Sequence, residues 1–304
     1  MGPDHRDIEG VRPQYLRPES LDELLTLLHT HGAGARLLAG GTDLLVRMRK
    51  GPAFTQGFGD AAGTPIVLID LKRVGELRAD VTEREGHLRI GARAVMTDVI
   101  GHRQVREHFP ALVEAAQVVG SVQIRNRATL AGNLCNASPA ADTAPALLAY
   151  GASLNLAGAN GSRQMPLDEF FAGPGRTVLA PGEIVASIDL PLPTERTGGA
   201  FGRLARRRGV DLAIVNLCCV VRESGDLRFA FGAVGPRPFV VASREDAPLD
   251  DVIAHARVIS DLRAGADYRL AMLPVLARRA LSAATMRLEK SRDRHGARGP
   301  RDER

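Results

Sequence analysis

Residues 66–71 read IVLIDL, a nearly unbroken apolar run that suits a strand buried on both faces, so the elements around it must supply covering layers. Upstream, Leu21, Leu24, Leu25, Leu27 and Leu28 form a helical apolar face behind Ser20, a fitting N-cap. After the glycines at 32 and 34, Leu37 and Leu38 are too few for a helix. They read as a buried strand feeding a turn at Gly40 and Gly41. A loop rich in Gly and Pro over 51–65 separates this α-then-β unit from IVLIDL and marks a boundary between subdomains.

The alternation continues downstream. LRIGARAVMTDVI predicts a strand, a glycine turn and a helix beginning near Thr97 and Asp98, with Thr97 as its cap. Residues 111–119 read as an apolar helix. RNRATLAGNLCNASPAADTAPALLAYGASLNL then combines turn residues, a short helix and a strand. EIVASIDLPLP reads as a strand, and the Pro-, Thr- and Gly-rich stretch 191–199 as an interdomain linker. The second domain has two strand patterns joined at Ser224 and Gly225, followed by helices over 249–257 and 268–284. No fixed period is visible, which argues against a solenoid or propeller.

Size and charge narrow the function classes. A chain of 304 residues can hold two or three compact units, because single cores stop growing at about 250 residues. No apolar run approaches the roughly 20 residues of a membrane span, and the first residues lack the apolar stretch of a signal peptide. The expected location is the cytoplasm. Much of the formal charge of +5 sits in the tail KSRDRHGARGPRDER, which reads as a disordered end. With 4% aromatic residues there are few platforms for stacking bases, and nucleic-acid binding is not expected. Cys135, Cys218 and Cys219 lack CxxC spacing, so neither a metal site nor a disulfide framework is expected. Cys218 and Cys219 read as small core hydrophobes.

Two segments carry chemistry. In RLLAGGTDL, a strand delivers two glycines followed by Thr42 and Asp43, a turn able to present backbone N–H groups to a pyrophosphate. It is neither a Walker motif nor the G-x-G-x-x-G of a Rossmann fold, and a Gly-Gly turn also serves as a plain strand terminator. The second, TLAGNLCNASPAADTAPALLA, concentrates Thr129, Gly132, Asn133, Asn136, Ser138 and Asp142. Its polar groups could hold a nucleotide, or could simply form an Asx- and Ser-rich turn before a helix.

Together, AGGTDL and ATLAGN…ASPAAD resemble the two FAD-contacting signatures of the flavoprotein family that includes the medium subunit of carbon monoxide dehydrogenase and the flavin domain of xanthine dehydrogenase. The resemblance extends to IDL at 69–71, IGA at 90–92, EIVASIDLP and RLARRRGVDLAIVN. It implies an α+β fold: a PCMH-type FAD-binding domain over 1–195, in subdomains of about 1–58 and 59–195, then a smaller domain over 198–285 with an antiparallel sheet and helices. Residues 286–304 are left as the disordered tail.

Carried residue by residue, the resemblance implies that Arg36, Leu37, Leu38, Ala39, Gly40, Gly41, Thr42 and Asp43 form the first signature, with 38–42 wrapping the pyrophosphate. Ala128, Thr129, Gly132, Asn133 and Asp142 match contacts to phosphate, ribose or adenine, and Ile184 or Val185 an apolar contact on the adenine side. Arg203 stands where the family commonly has Lys near the flavin, and a planar guanidinium is not equivalent to an ammonium. Ala131 stands where the family often has Gly, and would be strained if that position required positive φ. Alternatively, Arg203 belongs to an exposed basic run with Arg206, Arg207 and Arg208.

The implied role is electron transfer. Substrate would be oxidised at a molybdenum–pterin centre on a large partner subunit, electrons would cross [2Fe–2S] clusters on a small partner, and FAD on this chain would pass them to an acceptor such as NAD or a quinone. The implied assembly is a heterotrimer or its dimer. No catalytic acid or base and no metal ligand are assigned on this chain, and its three cysteines cannot supply an iron–sulfur cluster's usual four thiolates. Competing readings are a stand-alone FAD-dependent oxidoreductase acting directly on a small substrate, and a scaffold that no longer binds FAD.

Overall fold

The computed structural model describes residues 13–49, 66–207 and 209–296. The loop expected over 51–65 lies outside them. The described residues open with β1 (Gln14–Leu16), α1 (Leu21–His31), β2 (Ala35–Leu38), α2 (Leu44–Arg49) and β3 (Val67–Asp70), and these three strands form a parallel sheet in the order β1-β3-β2. Centre-strand position explains the apolar run, all four residues of β3 being buried, and it corrects the subdomain boundary expected near residue 58: β3 pairs with β1 and β2 and so belongs to the first sheet. Ser20 caps α1 by accepting the Glu23 N–H, and Leu24 and Leu28 bury the helix face.

Next come β4 (Val81–Arg84), β5 (His87–Gly91), α3 (Met96–Gly101), α4 (Arg103–His108), α5 (Pro110–Gln117), α6 (Val122–Arg125), α7 (Leu130–Cys135) and α8 (Thr143–Ala149). The strands β6 (Ser153–Gly158), β7 (Gly161–Pro166), β8 (Phe171–Gly173), β9 (Arg176–Thr177) and β10 (Ile184–Pro191) follow. An antiparallel sheet of order β4-β5-β10-β6-β7 results, with the helices between β5 and β6 packed into one core with it. Thr97 is not the cap of α3. The N-cap is Val95, and Thr97 donates its hydroxyl to Asn126 Oδ1 at 2.6 Å. The entry to α3 is set instead by the Met96 N–H on the Ala128 carbonyl, a tertiary contact that ties it to the second signature.

The last part is a four-stranded antiparallel sheet of β11 (Thr197–Ala205), β12 (Ala213–Arg222), β13 (Asp226–Gly232) and β14 (Phe239–Arg244), with α9 (Leu249–Ile253) and α10 (Ala266–Gly296). The stretch expected as a linker is therefore strand from Thr197 onward. β12 is buried on both faces: Cys218 and Val220 join the first core, while Leu217, Cys219 and Val221 face α10 in a second core. Both cysteines pack as hydrophobes, and burial pushes their thiols up. The disordered tail expected from 286 is corrected as far as Gly296, where α10 ends. Arg287 reaches back to Glu114 on α5 and to the Gly199 carbonyl, and Leu288 packs against the second core. These contacts hold the last turns that mixed charge alone would leave loose. Residues 297–304 lie outside the described residues. Among the described residues no helix is long and apolar enough to cross a membrane.

Candidate functional site

The first signature is a turn between β2 and α2. Leu38 is buried beneath it, and Gly41 takes φ +75°, the left-handed region that favours glycine. Gly40 has a different reason to be glycine. A Cβ there would collide with the carbonyl of Arg127, so the turn rests directly on the backbone that leads into the second signature. α2 begins immediately afterwards, with Leu45 N–H on the Gly41 carbonyl at 3.1 Å and Arg47 N–H on that of Asp43 at 3.0 Å. Among the described residues, the N–H groups of Gly40, Gly41, Thr42 and Asp43 have no intramolecular acceptor. Open backbone donors of this kind are what a turn needs to hold an anion.

In the second signature the polar groups are largely consumed. Thr129 caps α7 by accepting the Gly132 N–H at 3.0 Å, and a Cβ on Gly132 would crowd that same hydroxyl. Ala131 is an ordinary helical residue within α7 and is not among the positive-φ residues, so no strain attends its departure from the family pattern. Asn133 accepts the Thr143 hydroxyl at 2.7 Å, and Asn136 accepts Arg47 Nη2 at 2.6 Å, joining α2 to the end of α7. Asp142 is buried: its Oδ1 accepts Asn216 Nδ2 at 2.7 Å and Arg203 Nε at 3.1 Å. Burial raises its pKa even against these two partners.

Both signatures line one cleft of about 710 Å3. Arg36, Leu37, Ala39, Gly40, Gly41, Thr42, Asp43, Ala128, Thr129, Gly132, Asn133, Asp142, Ile184 and Val185 are on its walls. Leu38 is not; it packs under the turn. Arg203 is not either. Its guanidinium is drawn behind the wall to Asp142 and to the Asp211 carbonyl, so it fixes a wall residue and is not part of an exposed basic run. Arg36, though on the wall, donates to the Ala33 and Ala35 carbonyls at 2.6 and 2.8 Å.

Two stretches on the walls went unassigned in the sequence. One comprises Val118, Val119, Gly120 and Ile124 around α6; the other is Arg207, Val210, Asp211 and Leu212 in the loop between β11 and β12. Their signal was apolar residues beside a turn glycine: Gly120 and Gly209 both have positive φ, and Val210 and Leu212 are more than half exposed. Among the described residues no histidine lines the cleft. Cys135 does, with its thiol pushed up to about 12 by burial, so it offers no thiolate. Among the described residues no group of three or more His, Cys, Asp and Glu is placed to hold a metal ion.

Residues 9–193 match the family described as FAD binding domain in molybdopterin dehydrogenase. The carbon monoxide dehydrogenase medium chain of Hydrogenophaga pseudoflava is 34% identical over 293 residues, covering 91% of this chain and 98% of the relative. The xanthine dehydrogenase FAD-binding subunit of Escherichia coli O157:H7 is 30% identical over 288 residues, 89% of this chain and 95% of the relative. Among solved structures, reconstituted CO dehydrogenase from Oligotropha carboxidovorans superposes with a TM-score of 0.81 at 28% identity, over 91% of this chain and 98% of that one. The likeness bears out the expected α+β class.

Proposed function

Because the chain belongs to the family of FAD-binding domains of molybdopterin dehydrogenases, we propose that it is the FAD-binding electron-transfer subunit of a molybdopterin-dependent hydroxylase complex. In this reading a large partner subunit carries the molybdenum–pterin centre where substrate is oxidised, and a small partner carries [2Fe–2S] clusters. Electrons leave through this chain to an acceptor such as NAD or a quinone, and the three subunits form a heterotrimer or its dimer. Relatives named as medium chains or FAD-binding subunits support this division of labour.

The observation that carries the proposal is the meeting of the two signatures around one cleft, with four open N–H donors on its wall. At about 710 Å3 it lies in the range of about 300–1,000 Å3 typical of cofactor sites. The residues fit the cofactor. The 40–43 turn and the Thr42 hydroxyl would hold the pyrophosphate, Ile184 and Val185 would face the adenine, and Asp142 would use the carboxylate oxygen that Asn216 and Arg203 leave free. Bound FAD supplies the exchange between one-electron and two-electron transfer. The chain's own work is to bind, orient and shield it, with Arg203 and Asn216 holding Asp142 in place.

The test is spectroscopic. The purified chain, titrated with FAD, should acquire a bound-flavin absorption spectrum with one equivalent per chain. The complex isolated from its native host should contain molybdenum and iron. Absence of both metals from that complex, together with direct reduction of bound FAD by a small substrate, would replace the proposal with a stand-alone FAD oxidoreductase. Failure to bind FAD at all would leave only a scaffold.

A further inference from the structure

Behind the cofactor cleft lies a second cavity of about 300 Å3, and Ala39, Leu71 and Thr129 line both. Its other polar lining is basic, Lys72, Arg93 and Arg127, with alanine and valine elsewhere, and among the described residues no carboxylate is on its wall. These three cations are not equally available. Lys72 is spoken for, since its Nζ lies 2.7 Å from both oxygens of Asp70, which also accepts the Tyr15 hydroxyl.

Arg93 is placed differently. It donates to the carbonyls of Leu77 and Lys72, which position the guanidinium without cancelling its charge. Arg127 is exposed, and its side chain has no hydrogen bond or ion pair among the described residues. Its backbone is nonetheless fixed, by its N–H on the Ile124 carbonyl at 3.0 Å and by its own carbonyl against Gly40. Two uncompensated guanidiniums on rigid backbone, beside a threonine hydroxyl and an apolar wall, make a recognisable receptor. Guanidinium groups pair with carboxylate and phosphate oxygens through charge-assisted, often bidentate, hydrogen bonds.

We propose that this cavity binds a small organic oxyanion, a phosphate or carboxylate group on a compact apolar body. The volume supports the apolar body. At about 30 Å3 per water molecule, 300 Å3 exceeds what a bare oxyanion fills. This site goes beyond the flavin reading, because the cofactor's own anion would lie at the 40–43 turn on the other side of the shared wall.

Isothermal titration of the FAD-loaded chain with inorganic phosphate, phenyl phosphate and benzoate, at matched ionic strength, tests the site while the neighbouring turn is filled. Should the chain fail to bind FAD, the same titration of the chain as purified still tests it through the variants. Saturable binding of at least one probe is expected, with the two aromatic anions separating a phosphate from a carboxylate preference. Arg127→Ala should weaken the best probe about tenfold, the loss of one charge-assisted contact, and Arg127→Glu should abolish binding. Among the described residues Arg127 makes no side-chain hydrogen bond or ion pair, so both variants should keep the parent unfolding midpoint. No saturable binding by any probe, or Arg127→Glu within about threefold of the parent, overturns the proposal.

Discussion

The turn at residues 40–43 and the segment from Thr129 to Asp142 face each other across one cleft, yet their polar groups are used in opposite ways. In the first, four backbone donors have no acceptor among the described residues. In the second, Thr129 is a helix cap, Asn133 serves Thr143, and Asp142 is held by Asn216 and Arg203. On the proposed reading, the segment whose groups are mostly taken by protein partners chiefly shapes the wall, and the segment whose donors stay open takes the ligand's anion. Both carry residues of the same types, so the difference lies in the tertiary partners each one meets.

The contrast is open to attack by substitution. Arg203→Met removes the partner of a buried carboxylate, and should cost about 3–5 kcal/mol in chemical denaturation without FAD. A loss below about 1 kcal/mol would break the view of the second segment as scaffold. Gly40→Ala strikes the place where the two segments touch, where backbone must shift to admit the methyl. It should cost about 1–3 kcal/mol and weaken FAD at least about tenfold in a fluorescence titration. The two threonines make the sharpest pair. Thr129→Ala should lower stability by about 1 kcal/mol through loss of the α7 cap. Thr42→Ala should leave the apo stability within about 0.5 kcal/mol, yet weaken FAD by up to about tenfold, the worth of one hydrogen bond. Reversed outcomes would exchange the roles assigned to the two segments.

The smallest effect is in pH. Burial raises the Asp142 carboxyl above its ordinary 3.8, so its contribution is fully present below that value and is lost as pH rises through the raised one. Asp142→Asn lacks this dependence. Its stability relative to the parent should therefore improve between about pH 4 and pH 7, as read from denaturation midpoints, whatever the constant cost of unpairing Arg203.

Local features were legible in the sequence to the extent that short-range chemistry fixes them. Ser20 caps the helix that follows, IVLIDL is the centre strand, and the double glycine ends a strand because Gly41 must take positive φ. What stayed hidden depends on contacts far along the chain. Thr97 looked like a cap, but Ala128 sets the start of that helix. Ala131 raised the question of strain, which a helical conformation removes. Arg203 could be read as facing a flavin or as one of a solvated run; a carboxylate 61 positions earlier claims it. Gly40 invited a reading as room for a ligand, and the structure gives that room to Arg127. The loop carrying Val210 and Leu212 was visible as a motif but not as a wall, since only folding brings it to the cleft.

Cys218 and Cys219 are neighbours in sequence, yet alternation along β12 sends one thiol into each of two cores. The strand thus carries a matched pair of reporters, separated by a single peptide bond and sealed by different layers. Any thiol reagent must wait for one layer or the other to open. The order in which the two sulfurs become accessible would reveal whether the helical cover α10 lifts before the rest of the molecule loosens or only along with it.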